Sequence, residues 1–176
     1  MKKLTILAVL FLSVVSGFAQ ESPFEKLSFL YGNWEGTGSG FGNNQSTITA
    51  SYQPIMDSTY IEFVNDSKFD PTAQNPAGEH HTDKGMISYD KARKQIVIRQ
   101  FNSEGYINQY VLVNSLSTAN LLVFQTEIIE NFMPGGSAKW TIEKKSDEEI
   151  ETNFYVTFPG RDAACFGTNT LHKVQH

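Results

Sequence analysis

From Trp34 to Val174 the chain runs through about ten short stretches of alternating or β-rich character, most of them joined by turns too short for a crossover. STITASYQPI (Ser46 to Ile55) alternates, and TYIEFVNDS (Thr59 to Ser67) follows the tight Met56-Asp57-Ser58 turn. KFDPTAQNPAGEH (Lys68 to His80) reads as a loop, since Pro71, Pro76 and Gly78 oppose any regular element. KGMISYD (Lys84 to Asp90), QIVIRQF (Gln95 to Phe101), YINQYVLV (Tyr106 to Val113) and LLVFQTEIIE (Leu121 to Glu130) follow. AKWTIEKK (Ala138 to Lys145), IETNFYVTF (Ile150 to Phe158) and FGTNTLHKV (Phe166 to Val174) complete the series that opens at Trp34 to Gly38. Short connections favour antiparallel neighbours, because a parallel pair needs a long crossover. An all-β, antiparallel up-and-down barrel of about ten strands is therefore expected, since closure also leaves no exposed edge. A two-sheet sandwich is the competing architecture.

One short helix is expected ahead of the strands. Ser22-Pro23-Phe24-Glu25 reads as a capping box, Phe24, Leu27 and Leu30 fall at helical spacing, and Gly32 stops the run. Residues 1–19 read differently. Lys2 and Lys3 precede the apolar run Leu4 to Val15, with small residues at Gly17 and Ala19, the pattern of a secretory signal peptide. The apolar run falls short of the ~20 residues that a membrane span needs. Residues 20–176 are accordingly read as one exported barrel domain, periplasmic or secreted.

Composition narrows the partners. Without Lys2 and Lys3, 12 basic residues face 19 acidic ones, a formal charge of −7, which argues against nucleic acid and anionic membranes. Cys165 is the single cysteine, so no internal disulfide forms, and its Ala163-Ala164-Cys165-Phe166 setting reads as a buried thiol.

The stretch YGNWEGTGSG (Tyr31 to Gly40) places Gly32-x-Trp34 where the helix hands over to the first strand. This opening resembles that of lipocalins and fatty-acid-binding proteins. In its fuller form it is similar to nitrobindin-type haem-binding barrels and to the bacterial domain-of-unknown-function family 1579. GMISYDKARKQIVIRQF adds a further likeness to the latter. The resemblance implies a calycin-like barrel and, as an alternative function, haem and nitric-oxide handling. Nitrobindin-like proteins hold iron through a histidine near the C-terminal strand. The match puts Phe166 or Thr168 there, leaving His172 as the alternative ligand.

The hairpin RQFNSEGYINQY (Arg99 to Tyr110) carries polar residues on both faces. Ser103-Glu104-Gly105 suits a three-residue loop that puts Arg99 across from Gln109, beside Val97, Phe101, Ile107 and Val111. A two-residue turn would exchange the faces. A buried polar group without a partner costs about 1–3 kcal/mol, so amides facing a barrel interior imply mutual satisfaction or a watered pocket. The pocket reading takes Arg99, Gln109 and Glu127 as the polar anchor of a small, partly apolar molecule. Phe101, Tyr110, Trp140 and Trp34 supply apolar surface. The competing reading is a solvated outer wall.

His81, which shares a strand face with Asp83, joins the candidates as an oriented imidazole; His80 points the other way, so the pair does not read as a metal cluster. No nucleophile elbow or phosphate loop is present in the sequence, and binding without a reaction or cofactor is expected.

Overall fold

The computed structural model describes residues 22–40, 45–73 and 75–175. The proposed signal peptide, residues 1–19, lies outside the described residues. Ten strands follow one short helix: β1 Gly32–Ser39, β2 Gln45–Ile55, β3 Tyr60–Phe69, β4 Glu79–Asp90, β5 Gln95–Asn102, β6 Ile107–Leu112, β7 Leu121–Glu130, β8 Ser137–Lys144, β9 Glu149–Thr157 and β10 Ala164–Lys173. Each pairs antiparallel with the next, and β10 returns to pair with β1, so the sheet closes into a barrel. Among the described residues, no helix is long and apolar enough to cross a membrane.

Alternation fixes the two sides of the wall. Ile61 and Phe63 on β3, Gly85 and Ile87 on β4, Ile96 and Ile98 on β5, and Tyr110 and Leu112 on β6 are buried and face inward. Phe63, Tyr110 and Phe124 gather round Trp140 with ring centroids 5.8 to 6.3 Å apart, and Tyr52 stacks on Phe63. This aromatic layer crosses the middle of the barrel. The half beyond it towards the helix is filled with side chains, so the interior is not hollow from end to end.

The helix is a 3₁₀ segment, Glu25–Leu30, whose Phe24, Leu27 and Leu30 plug that end. The expected capping box does not form. Ser22 Oγ accepts from the Phe24 amide instead, and Phe24 occupies the N-cap without a side-chain cap. Trp34 lies under the plug at 1% exposure, and its Nε1 donates to the Leu30 carbonyl at 2.7 Å.

The seam between β1 and β10 is tight at one point. A Cβ on Gly36 would stand 2.0 Å from the Thr170 carbonyl oxygen. Gly36→Ala is therefore expected to destabilise the barrel by about 1–3 kcal/mol, the usual cost of overpacking, read as a lowered urea midpoint. An unchanged midpoint would show that the seam yields freely.

Candidate functional site

Because every strand reverses direction, the loops after β3, β5, β7 and β9 share one end of the barrel, opposite the helix. This end is the mouth. Inward-facing residues on its side of the aromatic layer are polar: Asn65 on β3, Asp83 on β4, Gln100 on β5, Asn108 on β6, Thr152 on β9 and Asn169 on β10. Several pair among themselves. Asn108 Nδ2 donates to Gln100 Oε1 at 3.3 Å and to the Tyr110 hydroxyl at 3.2 Å, and Asn169 Nδ2 donates to Thr152 Oγ1 at 3.2 Å.

Asp83 differs from these amides. It stands between Asn65 and Asn102 in the register, facing inward. Burial pushes its carboxyl up to about 7, the negative charges of Glu104 and Asp66 add to the rise, and His81 opposes them. Its charge reaches deep: burial first, and then Asp83, raise the phenols of both Tyr52 and Tyr110. Among the described residues no sealed side-chain polar atom lacks a partner. Asp83, Asn65, Trp140 and Phe154 are inward-facing yet only half-buried, so the mouth-side interior is a cup open to water.

The rim is built from two groups. On one side His81 contacts Glu79 at 3.0 Å, bonds Glu104 on the β5–β6 loop, and packs edge-on against Phe69. Burial works against the imidazolium, but the bonds to Glu104 and Glu79 outweigh it and hold His81 above the ordinary histidine range. On the other side Tyr106, Phe132, Phe158 and Phe166 form a chain of aromatic contacts at 5.6 to 5.8 Å. A groove of about 120 Å3 lies beside the mouth against Phe69, Pro71 and Asn75. A second, of about 200 Å3, lies at the helix end against Pro23, Tyr89 and Ile96.

The sequence-derived candidates divide between these surroundings. The three-residue loop is present, with Gly105 at φ +89° and Arg99 across from Gln109. That face is the outer one, however. Arg99 is exposed, Phe101 is 54% exposed, and neither lines the interior. A β-bulge between Gln109 and Tyr110 leaves Glu127 as the extra residue of β7. Glu127 keeps the outward side of Gln125, accepting from Arg93 Nη1 at 2.8 Å and from Gln109 Nε2 at 3.0 Å. The expected internal Arg99–Glu127 anchor is absent.

Tyr110 and Trp140 do face inward, whereas Trp34 belongs to the plugged end. His81 reaches the rim but pairs with Glu79 and Glu104 rather than Asp83. Cys165, expected to be buried, is exposed at the bulged start of β10. Asp83, Gln100 and Asn108 are the residues that sequence reasoning left out of the site. The parity Asp83, Gly85, Ile87 was the available signal.

The haem alternative fails on its donor set. His172 alternates with buried Leu171, points outward with 61% of its side chain exposed, and lies 3.9 Å from Glu149. His80 pairs with Asp66 on the outer wall, and His81, on the inward side of β4, is engaged at the rim by Glu79 and Glu104, leaving no free imidazole in the cup among the described residues. These residues do not fit a haem held by histidine.

No family model and no curated protein matches the chain. Among solved structures it is similar to Rv2717c from M. tuberculosis, at 13% identity and a TM-score of 0.61, covering 87% of this chain and 98% of that one. EF1p2_mFAP2b bound to DFHBI aligns at 12% identity and a TM-score of 0.47, covering 85% and 97%. A fluorescence-activating β-barrel designed de novo aligns at 12% and 0.43, covering 84% and 95%. The first likeness is one of fold: a closed, ten-stranded antiparallel β-barrel.

Proposed function

We propose that the chain is an exported barrel that binds a small, partly apolar molecule in the mouth-side cup and carries out no reaction on it. The observation that carries this reading is the half-buried inner wall around Asp83. A barrel stuffed for stability alone would fill that volume with apolar side chains, as its other half is filled. Aromatic rings below and amides above give the mixed lining typical of small-molecule sites. Placement outside the cytoplasm rests on residues 1–19 alone. A finer kinship, with nitrobindin-type barrels or family 1579, rests on the Gly32-x-Trp34 opening, and the engagement of His81 by two carboxylates counts against the haem function that would come with it.

N-phenylnaphthylamine, a neutral apolar fluorophore, tests the site. Its emission is expected to rise on binding, with tryptophan energy transfer that falls in Trp140→Phe, leaving only the contribution of the more distant Trp34. Arg99→Ala and Glu127→Gln are expected to leave its affinity unchanged, because both side chains lie on the outer wall. Binding lost in Arg99→Ala and kept in Trp140→Phe would move the site outside and overturn the reading.

A further inference from the structure

The charges inside the barrel are distributed asymmetrically. On the mouth side of the aromatic layer the described inward positions carry Asp83, then His81 and Glu79 at the rim, with amides, hydroxyls and apolar groups, and no lysine or arginine. The two lysines that share the inward parity, Lys144 and Lys173, stand at the opposite end beneath the helix. There Lys144 pairs with Asp147, and Lys173 lies 5.3 Å over the Trp34 ring. At the rim His81 is already engaged by two carboxylates, Glu79 and Glu104.

We propose that the cup selects a cation, specifically a protonated amine or other basic nitrogen attached to an aromatic or similarly flat apolar group. Building on the small-molecule reading, this inference adds the charge of the ligand. The Asp83 carboxylate supplies the counter-charge, while the half-buried Trp140 and Phe154 offer aromatic surface, with Phe63 and Tyr110 packed behind Trp140. Ring faces attract cations through their quadrupole, and the attraction strengthens where water is thinned. An anionic ligand such as a fatty acid would meet a carboxylate with no interior cation to offset it. It is excluded by the same geometry.

Binding of the cation is coupled to a proton. The folded protein keeps Asp83 largely protonated below about pH 7. An entering ammonium favours the carboxylate, so the Asp83 O–H proton passes to bulk water as the ion pair forms. The titratable groups around it are Glu104, Asp66 and His81 at the rim and Tyr52 and Tyr110 within. The bonds to Glu104 and Glu79 hold His81 above the ordinary histidine range. Its loss of a positive charge with rising pH acts in the same direction as ionisation of Asp83.

Three isosteric probes test this: naphthylmethylammonium, naphthylmethanol and naphthoate, titrated calorimetrically against the full barrel. The ammonium is expected to bind at least about tenfold more tightly than the alcohol at pH 8, with naphthoate weakest. Its affinity is expected to fall about tenfold at pH 6, with proton release detected as a dependence on buffer ionisation enthalpy. Asp83→Asn is expected to bring ammonium and alcohol within about twofold of each other. The pH series on the unmodified protein gives the same information without any variant. If naphthylmethanol binds and the ammonium binds no better, or naphthoate binds best, the cation inference is overturned and the small-molecule reading stands. If none of the three binds, both fall.

Discussion

Replacing Trp34 with alanine is expected to remove about 3–5 kcal/mol of stability, the range for deleting a large buried aromatic. The whole margin of a domain is about 5–15 kcal/mol, so this variant approaches unfolding at ordinary temperature. Two effects combine. The ring is sealed at 1% exposure against Leu30 and the plug, and its Nε1–H satisfies one of the carbonyls that the end of a helix leaves orphaned. Trp34→Phe separates them: it keeps most of the volume and loses the hydrogen bond, with an expected cost of about 1–3 kcal/mol. Urea unfolding followed through the remaining Trp140 measures both. A loss below about 1 kcal/mol in Trp34→Ala would mean that the plug is held by other contacts.

The Asp83→Asn variant is expected to be more stable than the parent at pH 8 and about equal to it at pH 4. Asp83 titrates near 7 when folded, against an ordinary 3.8. Between those values the native state holds a proton that the unfolded chain has released, so parental stability falls as pH rises through the window and levels off above it. A shift of this size in a sealed group would be worth about 4 kcal/mol at 1.36 kcal/mol per unit. Water reaching the half-buried carboxyl reduces this to an expected gain on the order of 2 kcal/mol. Urea unfolding of both proteins at pH 4 and pH 8 reads the difference. A gap that does not widen with pH would remove Asp83 as an uncompensated charge.

The barrel was legible in the sequence because alternation and turn residues are local signals. The register of the Arg99–Gln109 pair was legible for the same reason, since Gly105 fixes the loop that sets it. Which face of that hairpin turns inward was not. Both faces mix amides with aliphatics, so the decision falls to neighbouring strands, where buried Ile87 and Phe63 commit the Ile98–Tyr110 side to the core. The bulge at β7 was invisible to a strict period of two, and it turns Ile129 inward, whereas Glu127 lies outward with Gln125 by plain alternation. Asp83 was read as a partner for His81. Its inward pose depends on the same parity that buries Ile87, while Glu104, brought from the β5–β6 loop, takes the histidine instead.

The return of β10 to β1 also dictates an order of assembly. Strands β2 to β9 can each zip onto their predecessor as the polypeptide emerges, but one flank of Gly32–Ser39 waits for Ala164–Lys173. A chain interrupted before residue 164 would therefore carry two naked ribbon margins at once, each a template for another copy. Nascent fragments stalled there should be the most aggregation-prone species in the life of this protein.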